Sequence, residues 1–263
     1  KLWKNTYVDL DGNKNWAVFQ TLRGHRDWVN CISSLSETRF GNRSCPIFVS
    51  GSRDKTLRLW VQEEGKPNHW ECAAVYEGHR DFVTTCDLNN ERKMIASGSS
   101  DWNIHLWDIN RPDEPVEKLE GHDYGVRCCR WSNQNVLDGV TGYETGQGLL
   151  ASGSDDEYVC VWDNRMRGGK VEKMHCGSPV LSVCWGGQAS GVQGGFLAAG
   201  GGVPLDSMMG TSENVGGWIK VWDVRTWKLV GNCSERYQSN DNTFYSTAKA
   251  AALAKYYRLG GDG

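Results

Sequence analysis

The sequence lacks the features of a membrane-spanning, secreted or strongly nucleic-acid-binding protein. No apolar run approaches the roughly 20 residues that are needed to cross a bilayer, and no signal-peptide pattern opens the chain. The net charge of the 263 residues is only −3, which argues against a general affinity for nucleic acids or anionic membranes. We therefore expect a cytoplasmic location without membrane insertion.

The cysteines are not arranged for metal binding or for a disulfide framework. There are ten, and no Cys-x-x-Cys pair occurs among them. Several fall in apolar segments, where a reduced thiol acts as a small hydrophobe. The sequence also has no nucleophile elbow, phosphate-binding loop or metal-spaced ligands. We expect no metal, no cofactor, no small-molecule substrate and no enzymatic activity.

Tryptophan and glycine are abundant, at 13 and 32 residues, which is typical of many short strands joined by turns. The stretch 95–108 (IASGSSDWNIHLWD) predicts a strand, a tight turn and a second strand. Similar stretches begin at Val49, Ala151 and Leu197, and in three of the four copies an Asp stands six residues before a Trp. The tryptophans that mark this repeat are Trp3, Trp60, Trp107, Trp162 and Trp222.

Spacings of 47 to 60 residues between these tryptophans fit a four-stranded propeller blade that is lengthened by loop insertions. We predict an all-β propeller over residues 1–232, with four antiparallel blades and part of a fifth. A polar stretch at 36–46 is predicted to be one of the loop insertions. Residues 233–263 are predicted to form a tail with an Ala-rich helix at about 246–259.

The residues around each repeat resemble those of the WD repeat family. Gly24-His25, Gly78-His79 and Gly121-His122 match the start of its repeat, and Trp107-Asp108, Trp162-Asp163 and Trp222-Asp223 match its end. The resemblance implies a β-propeller, here part of a seven-bladed ring. Either the remaining blades lie outside this sequence or the ring closes atypically.

The resemblance also implies a structural hydrogen-bond relay from Trp through Ser and His to Asp in each blade. The matching sets are Trp60, Ser50, His25 and Asp54; Trp107, Ser97, His79 and Asp101; and Trp162, Ser152, His122 and Asp156. Buried Trp, Ser and His groups each need a hydrogen-bond partner, so the chemistry is reasonable without the family. A hydrolytic triad is not indicated, because a catalytic site is built once and this set occurs three times. In the fourth copy Gly216 replaces the Asp, so we expect no relay there.

Function must then reside on surfaces, because fold alone does not choose a partner. Aromatic residues follow the three histidines as Trp28, Phe82 and Tyr124, and Trp102 follows the turn residue Asp101. We predict that these four residues bind a partner protein, since exposed aromatic rings make good anchors. The alternative for the first three is that they pack between blades.

Two more particular resemblances suggest different partners. Segments 24–29, 50–56 and 78–83 are similar to the receptor-for-activated-C-kinase scaffold family of the small ribosomal subunit, which implies ribosomal RNA contacts by Arg53 and Lys55. An ordinary solvated turn is the alternative. Trp162-Asp163-Asn164-Arg165 and Trp222-Asp223-Val224-Arg225 resemble a motif that docks on cullin-type ubiquitin ligases, which implies contacts by Arg165 and Arg225.

The sequence as a whole predicts a non-catalytic scaffold that binds other proteins in a multi-subunit complex. The leading specific hypothesis is a ribosomal scaffold that links translation to signalling, with ribosomal RNA and small-subunit proteins as partners. A substrate receptor of a ubiquitin ligase is the first alternative. A structural WD repeat subunit of another large assembly is the second.

Overall fold

The computed structural model describes residues 2–8, 14–41, 43–66, 69–132, 149–163, 169–186, 195–203 and 216–234. The chain divides into two compact units, Lys1–Gly121 and His122–Gly263. The residues described contain no helix, and so none that is long and apolar enough to cross a membrane. The helix predicted at 246–259 lies outside these residues.

The first unit contains a two-stranded hairpin and two four-stranded sheets, blades 1 and 2. The hairpin pairs β1 (Leu2–Val8) with β2 (Lys14–Gln20). Blade 1 comprises β3 (Val29–Phe40), β4 (Arg43–Ser52), β5 (Thr56–Gln62) and β6 (Trp70–Glu77). Blade 2 comprises β7 (Val83–Asn89), β8 (Met94–Ser99), β9 (Ile104–Asp108) and β10 (Glu117–Leu119).

The second unit contains two more four-stranded sheets, blades 3 and 4. Blade 3 comprises β11 (Val126–Trp131), β12 (Leu149–Ser154), β13 (Tyr158–Asp163) and β14 (Gly169–His175). Blade 4 comprises β15 (Val180–Gly186), β16 (Phe196–Val203), β17 (Gly216–Asp223) and β18 (Lys228–Ser234). All four blades are antiparallel meanders of consecutive strands, which confirms the predicted all-β class and its blade-like sheets.

Each unit holds its blades together through a buried apolar layer. In the first unit Val49 and Leu57 of blade 1 pack in one core with Val83 and Ile95 of blade 2. The Tyr76 hydroxyl also donates a hydrogen bond to the Ile109 carbonyl at 2.8 Å. Full burial of each aliphatic side chain contributes about 1.5–3 kcal/mol, so this layer is a main source of stability.

The second unit repeats this arrangement with different side chains. Val159 and Val161 of blade 3 share a core with Val180 and Leu197 of blade 4. The Trp185 indole N–H donates to the Arg130 carbonyl at 2.8 Å, which ties β15 to β11. In each unit, therefore, buried side chains from the middle strands of one blade pack against the first two strands of the next blade.

The loop insertion predicted at 36–46 is wrong, because β3 and β4 continue through this stretch as a hairpin extension. Thr38, Cys45 and Ile47 are buried, while polar Ser36 is exposed. The turn includes Gly41, whose φ of 59° is in the left-handed region that glycine adopts readily. The polar residues of the exposed side gave the stretch a loop-like composition.

The small residues of the Ser-Gly-Ser segments allow close contact between neighbouring blades. A Cβ atom added to Gly153 would lie 2.4 Å from a methyl carbon of Val180 and 2.9 Å from the Cys128 sulfur. We expect Gly153→Ala to lower the free energy of unfolding by about 1–3 kcal/mol, because overpacking forces a buried strand to shift. Chemical denaturation followed by tryptophan fluorescence would measure the change.

Gly217→Ala is the matched control in the same unit, because it also adds one methyl group to a strand glycine. The nearest atom to its added Cβ is 3.9 Å away, an ordinary contact distance. We expect a change within about 0.5 kcal/mol, as for other open positions. Equal effects of the two substitutions would show that backbone flexibility, not packing, explains the glycine at 153.

Candidate functional site

Blade 1 brings the four side chains of its predicted relay into hydrogen-bond contact. Trp60 Nε1 donates to Ser50 Oγ at 2.8 Å, and the Ser50 hydroxyl donates to His25 Nε2 at 2.8 Å. His25 Nδ1 then donates to Asp54 Oδ2 at 2.9 Å. With these roles every buried N–H and O–H group in the chain of four has a partner.

Blades 2 and 3 contain the same chain of contacts. The indole-to-serine and serine-to-histidine distances are 2.8 Å in both blades. The histidine-to-aspartate distances are 2.9 Å in blade 2 and 2.7 Å in blade 3. The residues involved are Trp107, Ser97, His79, Asp101, Trp162, Ser152, His122 and Asp156.

The aspartates at the end of these chains are held in the charged form. Burial alone would raise the pKa of Asp156, but hydrogen bonds from His122 and from two backbone N–H groups lower it to about 2. Asp54 and Asp101 are partly buried, which raises their pKa values, but hydrogen bonds lower both below the ordinary value. A charged acceptor strengthens each hydrogen bond that it receives.

These chains of hydrogen bonds have no means of acting as hydrolytic triads. Ser97 and Ser152 are fully buried, and Ser50 is nearly so. Each hydroxyl already accepts a tryptophan N–H and donates to a histidine. A nucleophile needs access to its substrate and donors for the developing oxyanion, and these hydroxyls face the protein interior.

Blade 4 replaces the relay with contacts that the sequence pattern did not reveal. Cys176 stands four residues before its first strand, where the other blades have His, and Ala199 occupies the register position of the relay serine. Trp218 Nε1 donates instead to Ser178 Oγ at 2.5 Å. Lys220 Nζ donates to the Cys176 carbonyl at 2.8 Å, so a different set of polar groups supports the same end of this blade.

Within the described residues, one group of side chains in and beside blade 2 has the composition of a metal site. It consists of His79, Asp101 and His105. The His79 and His105 rings are stacked, with centroids 3.9 Å apart and planes 9° from parallel. A metal ion lies in the plane of each imidazole that binds it, so two stacked parallel rings cannot share one ion. His105 is 2% exposed, and its Nδ1 has no hydrogen-bond partner. We therefore interpret the group as a packed histidine pair.

The turn that carries each relay aspartate has a special conformation at the next residue. Lys55, Trp102 and Glu157 have φ values of 72°, 73° and 69°, in the left-handed region. Their amides donate to the carbonyls of the serines three residues earlier, which closes the turns. A left-handed backbone conformation is uncommon for residues other than glycine and asparagine, and it is most unusual for a residue as bulky as tryptophan.

An exposed aromatic surface lies at the turn end of blades 1 and 2. Trp28 is 69% exposed and Phe82 is 39% exposed. The Arg53 guanidinium carbon lies 4.4 Å from the Trp28 ring centroid and 5.4 Å from that of Phe82. Arg53 therefore contacts both rings and places a positive charge close to each of them. We call Trp28, Arg53, Phe82 and the exposed Trp102 the aromatic surface.

Tyr124 is exposed, but it is not the counterpart of Trp28 and Phe82. Its carbonyl accepts the Ser154 hydroxyl, just as the carbonyls of Asp27 and Asp81 accept serine hydroxyls in blades 1 and 2. The counterpart of the two aromatic residues in blade 3 is Gly125, whose carbonyl accepts the amide of the turn. Tyr124 lies two residues after its histidine, whereas Trp28 and Phe82 lie three residues after theirs, and this difference accounts for the shift.

The other predicted contact residues are placed as follows. Lys55 is exposed, and its Nζ donates to the Arg80 carbonyl at 2.8 Å. Arg225 is exposed and pairs with Asp223, with Nη2 and Oδ2 3.0 Å apart. Arg165 lies outside the described residues.

Four-stranded blades with linked Trp, Ser, His and Asp side chains define the class of repeat proteins that build β-propellers. Sequence comparison agrees, because the model of the "WD domain, G-beta repeat" family matches residues 16–61, 70–108 and 113–163. These regions make up just over half of the chain, and the chain belongs to the WD repeat family.

Curated relatives include two proteins named for nuclear distribution. The nuclear distribution protein nudF of Aspergillus niger is 26% identical over 176 residues, which cover 64% of this chain and 35% of that protein. The nuclear distribution protein PAC1 of Gibberella zeae is 31% identical over 147 residues, 54% of this chain and 28% of the relative. A WD repeat-containing protein of Schizosaccharomyces pombe is 31% identical over 121 residues, 46% and 30% of the two chains. The chain spans about a third of the length of these relatives.

None of these three names mentions the ribosome or a ubiquitin ligase. The specific resemblance to the ribosomal scaffold family therefore has no support from these relatives. Membership of the WD repeat family is the level at which sequence and structure agree.

Proposed function

We propose that this chain is a non-catalytic protein-interaction module in a larger cytoplasmic complex, and that the aromatic surface is its main contact site. The observation that carries the proposal is the exposure of Trp28 and Phe82, both of which contact Arg53. Clustered exposed aromatic and arginine side chains are the residues that most often dominate binding energy when a partner covers them.

Trp102 supports this choice of surface. Its indole is 52% exposed, and its backbone is in the left-handed region. Lys55 and Glu157 have the same backbone conformation at the equivalent turn positions, so it is the exposure of the indole that favours a contact role for Trp102. The amide of the neighbouring Ser100 donates to the Phe82 carbonyl, so this turn and the aromatic loop belong to the same end of blade 2.

The relatives suggest a biological setting for the module. Two of them are named for nuclear distribution, and we extend that setting to this chain as part of the proposal. The chain corresponds to about a third of those proteins, so the partner contacts proposed here concern the WD repeat region.

The test is a comparison of the wild-type chain with the double variant Trp28→Ala, Trp102→Ala. Tagged proteins would be purified from cell lysate, and quantitative mass spectrometry would compare the co-purified proteins. We expect the main partner to be depleted more than tenfold, because losing a buried tryptophan anchor removes about 2 kcal/mol or more of binding free energy.

Val116→Ala is the matched control, since Val116 is also an exposed apolar residue of the first unit but is not part of the aromatic surface. It should leave the co-purified proteins unchanged, and thermal melting should confirm that all variants fold. Full retention of every partner by the folded double variant would refute the aromatic surface as the contact site.

A further inference from the structure

The Arg53 guanidinium contacts two aromatic rings, and within the described residues no carboxylate forms an ion pair with it. Blade 3 offers a contrast at the equivalent turn position, where Asp155 forms a salt bridge with Arg127 at 2.8 Å. A guanidinium carries five N–H donors in a planar fork that matches the geometry of a carboxylate.

A charged cleft opens beside the same turn. Its volume is about 260 Å³, and its lining includes the cations Arg26, Lys55 and Arg58 together with Glu77. The buried Nε of Arg58 has no hydrogen-bond partner. Asp54 also lines the cleft, but its oxygens already accept hydrogen bonds from His25, the Arg26 amide and Thr56. The cleft therefore offers N–H donors of Arg26 and Arg58 beside the further carboxylate of Glu77.

Acidic side chains also lie close to these cations. Asp27 and Asp81 lie in the loops before blades 1 and 2, and each uses Oδ1 to accept the next backbone amide. Exposed Glu77 opposes the cations of the cleft. Arg80 adds a further exposed cation in the loop before blade 2. Two of the carboxylates at this end, Asp54 and Asp101, already accept hydrogen bonds from the relay histidines.

We infer that the partner of the aromatic surface is an acidic peptide segment, in which one carboxylate pairs with the edge of Arg53 and a second enters the cleft. This inference rests on the proposed function and adds the chemistry of the partner. The two aromatic rings that contact Arg53 provide apolar contact for the peptide, and the guanidinium provides bidentate recognition of a carboxylate. Charge complementarity also steers association and makes binding dependent on salt.

The experiment is a selection of random phage-displayed peptides on the immobilised full chain. The most enriched peptide would be synthesised with a fluorescent label, together with a counterpart in which Asp and Glu are replaced by Asn and Gln. We expect acidic residues in the selected peptides. Fluorescence anisotropy should show about tenfold weaker binding of the acidic peptide to Arg53→Gln, as for loss of one charge-assisted pair.

Controls separate charge from folding and from geometry. Arg111→Gln removes an exposed arginine from the first unit outside this site, and we expect it to bind like the wild type. Arg53→Lys keeps the charge but loses the planar group, and we expect only partial binding. The neutral counterpart peptide should bind weakly and equally to the wild type and to Arg53→Gln.

The outcomes distinguish this inference from the proposed function. Selected peptides that lack acidic residues but require Trp28 would overturn the inference and leave the proposed contact site intact. Peptide binding that does not require Trp28, or no selected peptide at all, would count against both. Binding of a single-stranded RNA oligonucleotide through Arg53 without peptide binding would assign the site to nucleic acid and overturn the inference.

Discussion

Replacing Asp101 with alanine is expected to lower the free energy of unfolding by about 3 kcal/mol, because several hydrogen bonds to one charged acceptor disappear together. Asp101 accepts from His79 Nδ1, from the Arg80 amide and from the Asn103 amide, at distances of 2.8 to 3.0 Å. The substitution leaves the buried His79 ring without its acceptor and removes the side chain that organises the turn. Chemical denaturation followed by tryptophan fluorescence would measure the loss.

Asp81→Ala is the control for this substitution. Asp81 is a nearby aspartate in the same blade, and the hydrogen bond of its carboxylate is the one from the Phe82 amide. We expect a change of about 0.5–1 kcal/mol, similar to the loss of a helix cap. If Asp101→Ala destabilised the chain no more than Asp81→Ala, the relay would not be the stabilising element that its geometry suggests.

The histidine pair of blade 2 leads to the second large effect, a loss of stability at mildly acidic pH. Burial lowers the pKa of His105 to about 3. The unfolded chain binds a proton at this side chain near pH 6.5, while the folded chain keeps it neutral down to about pH 3. The contribution of His105 to the free energy of unfolding is therefore fully present above pH 6.5 and is lost as the pH falls toward 3.

The expected size of this effect follows from the shifted pKa. Between pH 7 and pH 5, His105 should lower the free energy of unfolding by about 2 kcal/mol. Asp101 and Lys118 also influence this histidine, and other groups titrate in the same range, so the test is a difference between variants. His105→Phe keeps a flat ring against His79 and removes the titrating group.

At pH 7 we expect His105→Phe to change stability by less than about 1 kcal/mol, because the Nδ1 atom that it removes has no hydrogen-bond partner. From pH 7 to pH 5 the wild type should lose about 2 kcal/mol more than the variant. Urea denaturation at both pH values gives the comparison. Parallel losses in the two proteins would show that His105 does not set the acid sensitivity of blade 2.

Much of the fold could be predicted because its signals are local and repeated. An aspartate six residues before a tryptophan, with alternating apolar residues around it, defines two strands and the turn between them. Three copies of that pattern predicted the blades, and the family resemblance named the residues that could meet in each. These interactions lie within one blade, so a single repeat contains all the information.

Other features depend on contacts that no single repeat encodes. Ser178 and Trp218 are 40 positions apart and fit no pattern found in the other blades. The contact of Arg53 with Phe82 joins two different blades, so the spacing within either repeat does not predict it. The stacking of His105 on His79 likewise depends on how two strands face each other. The extension of β3 and β4 was missed because polar residues on its exposed side resemble a loop.

The turns that carry the relay aspartates give this chain a practical use as an engineering scaffold. In each turn the central aspartate belongs to the interior, while the side chains on either side of it differ freely between blades: Arg53 and Lys55, Ser100 and Trp102, Asp155 and Glu157. The first pair is basic, the second is neutral and aromatic, and the third is acidic. Combinatorial libraries at these six positions would sample new binding specificities without disturbing the aspartates that hold the turns in place.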